Sequence, residues 1–205
     1  NTNSAYQFGE LGNSRLDFPG GANPSPTYYK NLPSYYLSNV DGPDYTQAYL
    51  ALQNLQNDGQ VDWNRLYDAN ITNSNSDLNA AYVLYEDRSD DKQFTLNSSF
   101  KTYITDDVSL VFNLTHQKLK SENFAEIQDM LGGSSYLNRD SFDGYAFNLE
   151  DPNALAGLGD KFRYNYIFDV DQTEAYLKTQ FNLKRVDGYA STSFKTTNYQ
   201  REGLY

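Results

Sequence analysis

Residues 94–117 decide the fold: Phe94-Thr-Leu-Asn-Ser-Ser-Phe100-Lys-Thr-Tyr-Ile104-Thr-Asp-Asp-Val108-Ser-Leu-Val-Phe112-Asn-Leu-Thr-His-Gln117. On the first arm Phe94, Leu96, Phe100 and Ile104 alternate with Thr95, Asn97, Ser99 and Lys101. After a break at 105–107, Val108, Leu110, Phe112 and Leu114 alternate with Ser109, Asn113, Thr115 and Gln117. A period of two gives each strand one apolar face and one face of hydroxyls, amides and lysine. The apolar residues are even-numbered on both arms, so sharing a face requires an odd loop. The three residues Thr105–Asp107 supply it and pair Ile104 with Val108 and Phe100 with Phe112.

A second hairpin repeats the pattern. Ala175, Leu177, Phe181 and Leu183 are odd on the way in, and Ala190 and Phe194 are even on the way out, which asks for an even loop. Lys184–Asp187 is the four-residue solution and pairs Leu177 with Phe194 within a hairpin of about Tyr164–Leu183 and Tyr189–Gln200. The longer strands are expected over about 79–104, with an interruption at Ser89-Asp90-Asp91, and over about 108–120. Residues 4–10 read as the end of a further strand.

Between these strands lie two long connections, 11–77 and 121–163. Gly20-Gly21, Pro24, Pro26, Pro33 and Gly42-Pro43 break the first. Asp44 and Gln47 have capping-box spacing ahead of Ala48, Tyr49, Leu52 and Leu55, which predicts a helix over 45–56. Asp62 caps another over Trp63–Ala69. Asn123 and Glu126 repeat the spacing, so a helix with Phe124, Ile127 and Leu131 on one side is expected, stopped by Gly132-Gly133. Asp151-Pro152 starts one further turn, ended by Gly157. The fold class expected is all-β, an antiparallel up-and-down meander with short turns at one end and long, helix-bearing loops at the other. That asymmetry is the layout of a transmembrane β-barrel wall. A half-buried strand of a soluble β-sandwich shows the same alternation, but its loops divide more evenly.

Composition sets the remaining bounds. The chain has 205 residues with 39% hydrophobic, 19 Tyr and 12 Phe, and a mean hydropathy of -0.75. Such a chain is too rich in aromatics for disorder and suits alternating strands with ordered, wet loops. No apolar run is long enough for a transmembrane helix, whereas barrel strands need only about 9–11 residues. The net charge of -11 argues against nucleic acid, which requires a basic footprint. Solubility explains that charge, and so does a cell exterior where divalent cations bridge carboxylates to anionic lipid. With no Cys and one His, disulfides, thiolate zinc sites, cysteine catalysis and multi-histidine metal sites are excluded. The start at Asn1, without Met or a signal peptide, suggests a mature or excised segment.

Read in order, several segments carry a resemblance: Asn-Pro-Ser-Pro-Thr-Tyr-Tyr at 23–29, Leu-Pro-Ser-Tyr-Tyr-Leu at 32–37, Gly-Gln-Val-Asp-Trp-Asn-Arg-Leu-Tyr at 59–67 and Tyr-Val-Leu-Tyr-Glu-Asp-Arg-Ser-Asp-Asp-Lys at 82–92. They continue with Leu-Lys-Ser-Glu-Asn-Phe at 119–124, Met-Leu-Gly-Gly-Ser-Ser-Tyr-Leu at 130–137, Gly-Asp-Lys-Phe-Arg-Tyr-Asn-Tyr at 159–166 and Tyr-Gln-Arg-Glu-Gly-Leu-Tyr at 199–205. The series resembles the barrel region of TonB-dependent outer-membrane receptors of the Bacteroidota, in the group with an N-terminal carboxypeptidase-regulatory-like domain. The resemblance implies a barrel of about 22 strands holding a plug, of which this chain would be a section of four or five strands. It also implies an outer-membrane location and extracellular loops that capture substrate. The implied partners are outer-membrane lipid, the rest of the barrel and its plug, the TonB energy-coupling system through those parts, and a surface lipoprotein or other outer-membrane complex.

No catalytic constellation is present, so a non-enzymatic role without cofactors is expected. The binding candidates are Tyr28, Tyr29, Tyr35, Tyr36, Trp63, Arg65 and Tyr67, whose flat faces suit sugars or peptides and whose bland alternative is packing of the loop. His116 reads as a packed or interface histidine. Asp87, Asp90 and Asp91 lack the later ligands of a calcium loop. The sequons at Asn70, Asn97 and Asn113 read as chance matches. Tyr103, Phe168, Tyr189 and Tyr199 are candidates for an interface girdle, and Lys101, Lys178 and Lys195 for a polar inner lining. Two other readings stay open: a soluble extracellular β module binding carbohydrate or calcium, and a client or subunit of another outer-membrane assembly.

Overall fold

The computed structural model describes residues 1–140 and 144–204; Ser141–Asp143, within the second long connection, and Tyr205, the end of the 199–205 segment, lie outside the described residues. Among the described residues seven strands and three α-helices follow in the order β1 (Thr2–Asp17), α1 (Pro33–Leu37, preceded by a 3-10 turn at Tyr29–Asn31), α2 (Tyr45–Asn57), α3 (Trp63–Ser74), β2 (Val83–Thr105), β3 (Val108–Asp129), β4 (Tyr136–Leu137), β5 (Leu155–Ala156), β6 (Lys161–Leu183) and β7 (Val186–Gly203). The large sheet has the order β1-β2-β3-β6-β7, an antiparallel up-and-down meander, and β4 pairs with β5 separately. The chain forms two compact units, one of Asn1–Asn13, Asp87–Ala125 and Tyr164–Tyr205, the other of Ser14–Glu86 and Glu126–Arg163.

The first unit is built from strands whose faces the alternation sets. Arg88 lies over the Phe124 ring at 5.5 Å, so even-numbered residues of β2 and β3 share a face, as expected. The Thr2 and Ser98 hydroxyls meet at 3.1 Å, which puts even residues of β1 on that face too. His116 Nδ1 lies 3.0 Å from the Thr173 hydroxyl, which adds odd residues of β6. Between β2 and β3 only Asp106 and Asp107 turn, two residues where three were expected, with Thr105 still in the strand.

The second hairpin differs from expectation by two residues. Leu183 pairs with Val186 across a two-residue turn, so Leu177 faces Thr192 and Ala175 faces Phe194. The loop is even, as the faces demand, but it is the tighter solution, turning only at Lys184 and Arg185. Gly188, opposite Phe181, makes room for this: a Cβ there would sit 2.7 Å from the ring.

β1, β3, β6 and β7 run past their expected bounds, whereas β2 starts at Val83 rather than near 79. β1 continues to Asp17. β2 passes unbroken through 89–91, where Arg88 forks onto Asp90 at 3.0 Å and reaches Glu10 at 2.9 Å. The Tyr164 hydroxyl donates to Asp87 at 2.8 Å. β3 runs to Asp129, replacing the helix expected from Asn123. The Asn123 amide bonds Ser121 instead of capping, and Phe124, Ala125 and Ile127 are all buried. Burial on alternate faces favours a strand over the intrinsic helix signal. The strand ends at Asp129, and a turn follows with φ of 48° at Leu131 and 82° at Gly132. Pro152-Asn153 forms a turn, closed by Ala154 N–H to the Asp151 carbonyl at 3.0 Å, and β5 follows before Gly157.

The second unit holds a packed core. Leu66, Ala81, Tyr82 and Leu131 cluster with Leu16, Phe18, Val61 and Ala69. Beside them Tyr85 and Tyr136 pack edge-on against Phe162 at 5.3 and 5.5 Å. The Tyr136 hydroxyl donates to the buried Asp17 carboxylate at 2.6 Å. Arg163, in a left-handed conformation at φ 63°, reaches Asp17 at 3.4 Å and the Tyr85 hydroxyl at 3.1 Å. Its backbone N–H donates to Asn138 Oδ1 at 3.0 Å, and its guanidinium also lies over Phe147. Burial, and then the Asp17 charge, push the Tyr136 hydroxyl far above its ordinary value.

Tyr136 should therefore stay neutral in the folded unit while the unfolded chain ionises above about pH 10, so stability falls as pH rises past that point. Tyr136→Phe should lower stability at pH 8, because Asp17 loses a donor, yet flatten the alkaline decline. Denaturation midpoints between neutral and alkaline pH measure both; parallel curves for the two proteins would refute the assignment.

Candidate functional site

The tyrosines of the first long connection pack on one another. Tyr28–Tyr29, Tyr29–Tyr35 and Tyr35–Tyr36 form a chain of edge-on contacts at 4.7, 5.8 and 5.4 Å, a geometry set by the ring quadrupole. Desolvation, then the neighbouring Tyr29 hydroxyl, raise the Tyr28 hydroxyl above its ordinary value. Pro33 at the first helical position starts α1. The expected caps of the next two helices are present: Asp44 accepts from Gln47 N–H at 2.9 Å, and Asp62 from Arg65 N–H at 3.1 Å. α3 runs five residues beyond its expected end, to Ser74.

In the same unit these elements enclose a cleft of about 350 Å³. Its floor is Ala51, Leu66 and Tyr82, its apolar wall Pro24, Pro26 and Leu50, and its polar lining is dominated by carboxamides: Asn23, Asn31, Gln47, Asn54 and Gln60. Arg65 is its cation, and Asp58 and Asp62 its anions. Carboxamides both donate and accept, so the cleft suits a neutral ligand bearing many hydrogen-bonding groups.

Of the seven expected binding residues, Tyr36 and Arg65 line this cleft and the other five do not. Tyr28, Tyr29 and Tyr35 belong to the tyrosine chain, Trp63 is half exposed, and the Tyr67 hydroxyl donates to Asp129 at 3.3 Å. The Asp129 charge first, then burial, raise the Tyr67 hydroxyl. The carboxamides escaped the sequence reading, although Gln47 and Asn54 recur at the i, i+7 positions of one helical face. The buried residues of α2 are Ala48 and Ala51, whereas Tyr49 and Leu52 are exposed.

Asn70 holds the cleft floor in place. Its amide donates to the carbonyls of Tyr82, Met130 and Leu131 at 2.7, 2.9 and 3.2 Å, and its oxygen accepts from Ala81 and Tyr82 N–H at 2.8 and 3.0 Å. One side chain thus pairs with both backbone groups of Tyr82, as a neighbouring strand would. It is fully buried, which settles its sequon as a packing residue.

The remaining candidates also find places. His116 is half-buried beside Thr173, with Asp171 at 3.9 Å. Asp87 and Asp90 are engaged by Tyr164 and Arg88, and no cluster of metal-ligating side chains occurs among the described residues. Tyr103, Phe168, Tyr189 and Tyr199 all lie on the face of Lys101, Lys178 and Lys195, judged by parity and register; Lys178 sits 4.9 Å over Tyr189 and Lys101 5.2 Å from Tyr103. The expected girdle is therefore part of the polar face. Comparison with protein-family models, with curated proteins and with solved structures gives no match.

Asn70→Ala should strand five backbone partners, four of them in buried bonds, at about 1–3 kcal/mol for each group that water cannot reach, so a loss of about 3 kcal/mol or more is expected. Hydrogen exchange reads this directly: the Ala81 and Tyr82 amides should lose protection, and unchanged protection would remove Asn70 from this role.

Proposed function

We propose that this chain is a stretch of the wall of a TonB-dependent outer-membrane receptor, with its long connections outside the cell capturing substrate for transport rather than catalysis. One observation carries the reading. On one face of the sheet, next to the short turns, Phe100, Ile104, Phe112, Leu177, Leu183 and Phe194 stand exposed, from 38 to 72%. Beyond about Phe94 and Leu114 the same face turns charged, at Lys92, Asp90, Lys118 and Lys120. An uncovered apolar belt of about ten residues' height, bounded by charge, is what a bilayer covers.

Strand length supports the same reading. β2 and β6 have 23 residues each, about 75 Å at 3.3 Å per residue, against about 30 Å of hydrocarbon. Such strands project well beyond the membrane. β1 and β7 are the sheet's edges, and in lipid an edge must be paired; further strands of the same barrel would pair them. No helix among the described residues is long and apolar enough to cross a membrane. In this proposal the carboxamide cleft is the capture site, the polar face of Lys101, Lys178 and Lys195 meets the plug and water, and TonB acts through the plug. A surface lipoprotein or another outer-membrane complex covering the loops is compatible with this arrangement.

Two experiments test the proposal. Phe112→Arg should cost about 2–4 kcal/mol in folding titrations into lipid vesicles, with Asn113→Arg on the other face nearly neutral; equal costs would sink the wall. Single cysteines at Asn75, Ser134 and Asp106, in a chain that has none of its own, give the orientation. An impermeant thiol reagent on intact cells should label the first two and spare Asp106→Cys, and the reverse pattern would invert it.

A further inference from the structure

The cleft of the second unit combines free carboxamides with an acidic surround. Asn23 and Asn31 are partly committed to Ser25, one accepting from its N–H at 3.0 Å and the other donating to its carbonyl at 2.8 Å. Gln47, Asn54 and Gln60 line the same cleft, and among the described residues their side chains make no hydrogen bond. Each therefore presents a ligand with an acceptor oxygen and a two-hydrogen donor.

The spacing of these amides narrows the ligand. Gln47 and Asn54 stand two turns apart on α2, about 10.5 Å along the axis at 1.5 Å per residue. A polypeptide in the extended polyproline II form returns the same side every third residue, at about 9 Å, and has no hydrogen bonds of its own. Its N–H and carbonyl groups match a carboxamide in both directions, as those of Tyr82 already do on Asn70. Pro24, Pro26 and Leu50 give its apolar side chains a wall. A sugar is less well served. The Tyr82 ring is 5% exposed, its hydroxyl donates to the Ala22 carbonyl at 2.9 Å, and a Cβ on Gly21 would sit 2.3 Å from it. Tyr36, half-buried, is then the one ring left among the lining residues to stack on.

Charge selects the side chains. Ser14–Glu86 and Glu126–Arg163 together hold fifteen Asp and Glu against six Lys and Arg, so most of the chain's net charge of -11 belongs to this unit. Within the cleft Asp58 and Asp62 outnumber Arg65. Such a field draws cations in, turns anions away and is weakened by salt. The backbone match and the field together describe a basic peptide.

We propose that the cleft holds an extended, basic segment of polypeptide, its backbone paired by Gln47, Asn54 and Gln60 and its lysine or arginine side chains directed to Asp58 and Asp62. The proposal rests on the reading of the cleft as the capture site and names the substrate class taken there.

The test uses the full protein in phosphatidylcholine nanodiscs and a fluorescently labelled peptide of repeated Ala-Lys-Pro, with repeated Ala-Glu-Pro and maltoheptaose as the comparisons. Anisotropy titrations read the binding. The lysine peptide should bind at least about tenfold tighter than the glutamate peptide and weaken as salt is added. Q47A/N54A should bind it about tenfold more weakly, the factor expected for two lost hydrogen bonds. T46A/Q56A, on the same helix but outside the cleft, should bind it as the wild type does. Equal binding by wild type and Q47A/N54A overturns the peptide site, and so does equal binding of the two peptides. Maltoheptaose that displaces the lysine peptide as tightly as unlabelled peptide does also overturns it, by making the ligand a sugar. In each of these cases, protein that floats with lipid vesicles leaves the barrel wall standing. Protein that does not float overturns the wall instead, and the same titrations in detergent then decide the cleft by the same outcomes.

Discussion

A strand has two faces, and everything in the first unit follows from keeping them distinct. The apolar set is even on β1, β2 and β3 and odd on β6, and the β6–β7 turn has the parity that returns the chain with those sets together. The constraint is strict because a one-residue slip would turn Phe100 and Phe112 to the lysine side and Lys101 to the apolar side. It tolerates a two-residue slip, and that is where expectation and structure part at the second hairpin. The four-residue and two-residue loops satisfy the faces equally, and Gly188, which leaves room for the Phe181 ring, accommodates the shorter.

The second unit solves a different problem, that of ordering a long polar connection without regular pairing. It does so by substituting side chains for backbone. Asn70 offers Tyr82 the donor and acceptor a strand would, and Asn138 and Asp129 each accept from a backbone N–H, of Arg163 and Leu131, at places where the chain turns through positive φ. Asp17, Tyr136 and Arg163 close a buried network in which each polar group has a partner, the condition under which burial of charge is tolerated. The carboxamide cleft sits on this platform, so its shape depends on residues that do not line it.

How much of this was legible depended on the range of the determining contact. The hairpins and the caps at Asp44 and Asp62 rest on residues within a few positions of one another, and the sequence reading found them. The strand through Phe124 and Ile127 was misread as a helix because capping-box spacing is local, whereas the burial that overrides it comes from distant segments such as Asp160, whose carbonyl accepts from Ile127 N–H at 3.1 Å. The same holds for the candidate site. The tyrosines were conspicuous in composition but satisfy one another. The amides that line the cleft are ordinary residues brought together by the fold, and only Tyr36 and Arg65 belong to both sets.

The two-residue turn between Leu183 and Val186 has a consequence for the order of assembly. Contacts that close across it are separated by a few residues, so the β6–β7 hairpin forms on the microsecond scale typical of local pairing. The contact between Thr2 and Ser98, by contrast, closes over 96 residues and must await the ordering of the long connection between them. The hairpins are thus folding seeds and the β1–β2 seam is the late step. A sheet made on this plan zips from its short turns, with the long connections last to settle.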